Sequence, residues 1–444
     1  MEVFFAIALI VVIALLATSA RLYRIRRTRA MSLLVSGGWL ALAVGVALGP
    51  AGSGLIKADT ILSTTPLLIA SLGWVGLMIG LQGRLDLLAR LPRGLLAIVA
   101  LDFLATTLII GLLCAFSLTL WTRADQPWTS LLKPTAALVA ASLGWAMETR
   151  SLASNLTPTS HPIALAVRLT GGLAAIGAVA AFGLAEKLVS PLPASTTPLT
   201  ESGALLSDAA TRFTPGAGLL SLLLTLALAA LAGLLGRFAI GATATRSGGP
   251  GTGGDQLAVF LGLVALVAGL AAELGSSPLL AAMMTGLVVA NLSTPHLLRF
   301  ERFIIQAEHI LAVLIFLLAG LLLNVRISWP ELALASAIAL CRAAFKPALF
   351  AWGYSKIHGR LASPNSLIPT NSAGALRFSC IRQSAVAAPI VLGLTLLEPS
   401  DFHRTLLTIV VLAGLLAALF AVTLAAWDNR SAPRPDSPPP EDAP

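Results

Sequence analysis

The sequence predicts an all-α polytopic membrane protein of about thirteen transmembrane helices. Three observations predict it. Hydrophobic residues make up 57% of the 444 and charged residues only 11%, with a mean hydropathy of +0.89. Soluble globular chains carry about 25% charged residues, so this chain has too few to cover its surface in water. The apolar residues also fall in runs long enough to cross a bilayer. Finally, Lys and Arg alternate between rich and poor loops along the chain. A soluble enzyme is excluded. The formal charge of +9 does not point to nucleic acid, because the basic residues sit between apolar runs. With only 2 Tyr there is no platform for stacking bases.

Taken in order, the apolar segments cover residues 2–20, 31–48, 62–81, 95–121, 132–147, 162–184, 216–240, 256–272, 278–292, 304–323, 332–353, 374–396 and 405–427. The first is a span and not a signal peptide, because its positive charges follow the apolar run. The eighth and ninth are parted only by the turn at 273–277. Arg21, Arg24, Arg26, Arg27 and Arg29 fill the first loop, and Arg84, Arg90 and Arg93 the third. Later odd-numbered loops hold Arg150, Arg246, Arg299 with Arg302, and Lys356 with Arg360. The alternate loops balance Lys57 with Asp59, Arg123 with Asp125 and Lys187 with Glu186. Positive loops favour the cytoplasm. The expected arrangement is N-terminus outside and C-terminus inside, in a bacterial inner membrane.

Residues 1–427 read as one transmembrane domain, and the proline-rich stretch 428–444 as a disordered cytoplasmic tail. Residues 186–215 form a Pro-, Ser- and Thr-rich divider, and the glycines of 245–255 a flexible linker. Cys114, Cys341 and Cys380 lie inside apolar stretches, without metal-ligand spacing. No cofactor, resident metal or covalent chemistry is indicated, so the chain is not expected to be an enzyme.

Particular residues narrow the function. Gly49 and Pro50 stand in a ValAlaLeuGlyProAlaGlySerGlyLeuIle stretch. It is followed by LeuGlyTrpValGlyLeuMetIleGlyLeuGlnGlyArgLeuAsp from 72, LeuGlySerSerProLeuLeuAlaAlaMetMetThrGly from 274, and IlePheLeuLeuAlaGlyLeuLeuLeuAsn from 315. Last comes CysArgAlaAlaPheLysProAla from 341. In this order the chain resembles the monovalent cation:proton antiporters, particularly the second cation:proton antiporter family, which are sodium/hydrogen exchanger-like. The resemblance implies inverted repeats, a homodimer, and a mobile core in which two interrupted helices cross. By register these are the fifth span, with Ser142, and the twelfth, with Arg382. It also implies a small inorganic ion as substrate, with the lipid bilayer as surroundings.

One departure accompanies the match. The family carries paired acids, or an Asn-Asp pair, on the sixth span; here Thr170 and Gly171 stand in their place. No Asp or Glu lies between Glu148 and Glu186. The eleventh-span lysine persists as Lys346. Ionisable groups at bilayer depth cost about 2.5 to 3.5 kcal/mol and need an explanation. They are Asp102, Arg168, Glu308 beside His309, Arg342 four residues before Lys346, Arg377 and Arg382. Asp102 reads either as a counter-ion to Lys346 or Arg168, or as a relocated ion carboxylate. Arg342 and Lys346 read either as structural or as lining the transport path.

The expected function is a secondary active transporter exchanging sodium or potassium for protons through an atypical site. Candidate ion and proton groups are Asp102, Ser142, Arg168, Thr170, Gly171, Glu308, Arg342, Lys346 and Arg382. The alternatives are a non-transporting sensor or scaffold, and a transporter of an anionic solute held by the cationic residues.

Overall fold

The computed structural model describes residues 38–56, 60–61, 64–89, 93–121, 128–143, 161–189, 217–246, 253–292, 313–324, 326–361, 387–397 and 400–431. The predicted first span, the basic loop after it, Glu308, His309, Arg377, Arg382 and residues 432–444 of the predicted tail lie outside these residues, while residues 428–431 of that tail continue the last helix. Among the described residues the regular structure is helical, with no strand.

The helices are α1 (Trp39–Leu48), α2 (Thr65–Gln82), the single turn α3 (Leu85–Leu88), α4 (Arg93–Trp121), α5 (Trp128–Leu143), α6 (His161–Val189) and α7 (Ala217–Arg246). They continue with α8 (Gly253–Glu273), α9 (Pro278–Asn291), α10 (Val313–Leu322), α11 (Trp329–Leu361), α12 (Ala387–Leu397) and α13 (Asp401–Ser431). Five of the described helices are long and apolar enough to cross a membrane: α2, α4, α7, α11 and α13. Serine begins three helices. Ser277 accepts from Leu280 N at the start of α9, and Ser400 from His403 N at the start of α13. Before α11, Glu331 reaches back to Ser328 N at 3.1 Å, half of a capping box.

α4 shows how a membrane helix divides its surface. Leu104, Leu108, Leu112, Phe116 and Leu120, four residues apart, are 61–66% exposed. The opposite ridge, Ile98, Asp102, Thr106, Ile110, Cys114 and Leu118, is buried. An exposed all-apolar stripe of this length is stable only against lipid. α7 presents a similar face through Leu220, Leu223, Leu224, Leu231, Leu234, Leu235 and Phe238.

Two crossings rely on glycine. Gly76 and Gly80 of α2 lie so close to α9 that a Cβ would collide with the carbonyl oxygens of Leu279 and Met283. Gly286 of α9 abuts Leu77 O in return. α1 and α10 cross likewise: Gly45 abuts Leu317 O and Gly320 abuts Leu42 O. Gly45 with Gly49 and Gly76 with Gly80 are spaced four apart, the spacing that lets helix backbones touch in lipid.

The remaining helices pack as two groups. α2, α7, α8 and α9 form one; α4, α5, α6, α11, α12 and α13 form the other. The groups meet where α6 lies against α2, α7 and α9, and where α12 lies against α2 and α9.

Several boundaries differ from the sequence reading: α11 runs on to Leu361, taking in Lys356 and Arg360 that the reading places in a loop, and α13 covers 401–431 rather than 405–427. The sixth apolar segment was bounded at 184, but α6 continues to Val189, taking in Glu186 and Lys187. In this added stretch Lys187 donates to the Gly275 carbonyl on a neighbouring turn. The linker expected at 245–255 is shortened, since α7 reaches Arg246 and α8 begins at Gly253.

Candidate functional site

The site is built where α4, α5 and α11 meet. Its register is set by ridges four residues apart, Ile98–Asp102–Thr106 on α4 and Ile338–Arg342–Lys346 on α11, all buried. Lys346 Nζ lies 3.0 Å from Asp102 Oδ2, and the two side chains are 0% and 6% exposed. Thr106 Oγ1 donates to Asp102 Oδ1 at 3.4 Å. The same ammonium donates to Leu143 O at 3.4 Å. One turn earlier, Arg342 donates through Nη1 to Ser142 O.

Both cations therefore converge on neighbouring carbonyls of α5, those of Ser142 and Leu143. Two positive side chains one turn apart would repel without a nearby anion, and Asp102 supplies it. Pro347, next to Lys346, lies inside α11 and removes a backbone donor there.

Of the residues singled out from sequence, the structure brings Asp102, Ser142, Arg342 and Lys346 together. Ser142 takes part through its backbone carbonyl. Thr170 and Gly171 are buried on α6, on a helix that packs against α4 and α5. Arg168 lies in α6, but its side chain is outside the described residues, as are Glu308 and Arg382 altogether. Sequence reasoning missed Thr106 and the Leu143 carbonyl. The i, i+4 spacing of Asp102 and Thr106 was the available signal for the first. The second is backbone and left no signal. Gln82, also missed, lies against Gly172: a Cβ there would stand 2.8 Å from Gln82 Oε1. Among the described residues no group of three or more His, Cys, Asp or Glu could hold a metal ion.

No protein-family model and no curated protein matches the sequence. A solved structure does match the fold, that of the sodium proton antiporter MjNhaP1 from Methanocaldococcus jannaschii at pH 8. The identity is 16%, the TM-score 0.60, and the match covers 97% of this chain and 98% of that one. The chain thus has the fold of a membrane antiporter along almost its whole length. It is an integral membrane protein, similar in structure to a transporter rather than an enzyme.

Proposed function

We propose that this protein is a secondary active transporter exchanging a monovalent cation, sodium or potassium, for a proton, with Asp102 and Lys346 as its exchange site. The carrying observation is the buried Asp102–Lys346 pair against the Leu143 carbonyl of α5, in a chain with no acid between Glu148 and Glu186. A buried ion pair is weak ground for stability, because desolvation offsets most of the Coulomb gain. Its retention at bilayer depth favours a function.

The two charges define two neutral states. In one, Lys346 carries a proton and pairs with Asp102. In the other, a monovalent cation lies at Asp102, with the Leu143 carbonyl and Thr106 hydroxyl as neutral oxygen donors, and Lys346 has released its proton to water. Either occupant cancels the carboxylate, and both together do not fit one site. One cation replaces one proton, and no net charge crosses. Thr170 offers only a hydroxyl, which can coordinate a cation but does not titrate at physiological pH.

The finer architecture belongs to the same proposal: thirteen spans, N-terminus outside, a homodimer in a bacterial inner membrane, and inverted repeats. An inverted repeat pairing the second span with the ninth and the third with the tenth would exchange the Gly45–Gly320 and Gly286–Gly80 crossings. Their shared construction supports that reading.

The test is flux into proteoliposomes under sodium, potassium, lithium, chloride and pH gradients, with the membrane potential clamped and then released. Exchange independent of potential and abolished by Asp102→Asn is expected. Strongly potential-dependent exchange that survives Asp102→Asn but not Thr170→Val would overturn the scheme. One observation favours the non-transporting reading: Arg342 and Lys346 each give a donor to an α5 carbonyl, as a purely structural clamp would. Absence of flux under every gradient, with Asp102→Asn lowering stability alone, would establish that reading.

A further inference from the structure

The seam between the two helix groups is closed mostly by apolar and glycine contacts. Gly183 of α6 lies against Leu280, Gly83 against Ile176, and Gly172 against Gln82. Such surfaces can slide, because no directional bond has to break. At one end of the seam the contact is different. Lys187, in the last turn of α6, donates its ammonium to the carbonyl of Gly275 in the α8–α9 turn. Gly275 has φ +59, a left-handed conformation that favours glycine. Its carbonyl is free of the helix ladder because α8 has ended there. Its amide donates to Ala272 O at 2.9 Å, and that of Ser276 to Ala271 O at 2.8 Å. The turn is fastened behind in the same way. Thr225 of α7 lies 2.7 Å from Ser276 Oγ, with both residues buried, and Ser277 caps α9. Behind the lysine, Glu186 is buried in the same last turn of α6. The mobile-looking seam thus ends in a cation reaching from one group to a braced carbonyl of the other.

We propose that Lys187 and the Gly275 carbonyl form a latch that holds the seam shut on this face and opens when the two groups move apart. It rests on the transport reading only in supposing that the groups move. A hydrogen bond from a charged group is strong enough to bias a two-state equilibrium, by about tenfold to a hundredfold. It is also a single bond at the edge of the seam. It can therefore open without disturbing the glycine crossings of α2 with α9.

Hydrogen exchange of the full chain in lipid nanodiscs tests it. With Lys187→Met, amides of residues 272–280 should exchange about tenfold or more faster, while those of α2 around Gly76 and Gly80 stay unchanged. Lys187→Arg, which can reach the same carbonyl, should restore the protection. Unchanged exchange at 272–280 in Lys187→Met overturns the latch. So does faster exchange there in Lys187→Arg, and this variant decides the matter if Lys187→Met does not fold. Flux is measured on the same preparations. Absence of flux in the unmodified protein defeats the transport reading, whereas the exchange difference at 272–280 stands or falls by itself.

Discussion

Asp102 and Lys346 each have one strong partner in the other, and neither is tolerable alone at this depth. Asp102→Asn should destabilise the protein by about 3 to 5 kcal/mol, since it leaves a buried ammonium without its anion. Thermal unfolding in detergent checks this. The double variant Asp102→Asn, Lys346→Met should unfold at a higher temperature than Asp102→Asn alone, because it removes the stranded charge. The pair was legible in outline: one acid and a few cations inside apolar runs had to find each other. Which cation took the acid was not legible, because it depends on the register of α4 against α11.

Among the elements, α2 and α9 cross without room for a methyl group. Gly80→Ala should cost about 1 to 3 kcal/mol through overpacking, because the obstacle is the Met283 backbone and not a side chain that can turn aside. Gly262→Ala on α8 makes the control. Nothing lies within 4 Å of its Cβ, and helix propensity should make that change stabilising by up to about 1 kcal/mol. Melting temperatures of the two variants should move in opposite directions. Helix positions were legible from the apolar runs. The end of α6 was not, since hydropathy marks where lipid ends and says nothing of a lysine with a carbonyl to reach.

For the whole molecule, the described ends sort into two sets. The end of α4 meets the start of α13 through Trp121 and Phe402, 6.2 Å apart. The end of α10 meets α13 through Asn324 and Thr408, and the end of α6 meets the α8–α9 turn. The ends of α2 and α9 meet through Asn291, which donates to Gly83 O at 2.9 Å and accepts from Leu85 N at 2.7 Å. In a strictly alternating chain the first set lies on one side and the second on the other. Cysteines introduced near Gly275 and near Arg84 should therefore label from opposite faces of sealed vesicles. Labelling from one face would defeat the proposed topology.

Composition and periodicity by themselves determined that this chain lives in lipid, that it is helical and roughly where each described helix lies. Those properties are local, set by the transfer of each segment from water to hydrocarbon. They also determined that residues 149–185 hold no acid, which is a statement about residue identity. Tertiary structure alone decided that Lys346 meets Asp102, that two cations close on the carbonyls of Ser142 and Leu143, and that Lys187 reaches Gly275. Each of these joins residues far apart in the chain, through helix registers that side-chain packing sets. Three of the acceptors are backbone carbonyls, which every residue carries, so no side chain in the sequence could announce them.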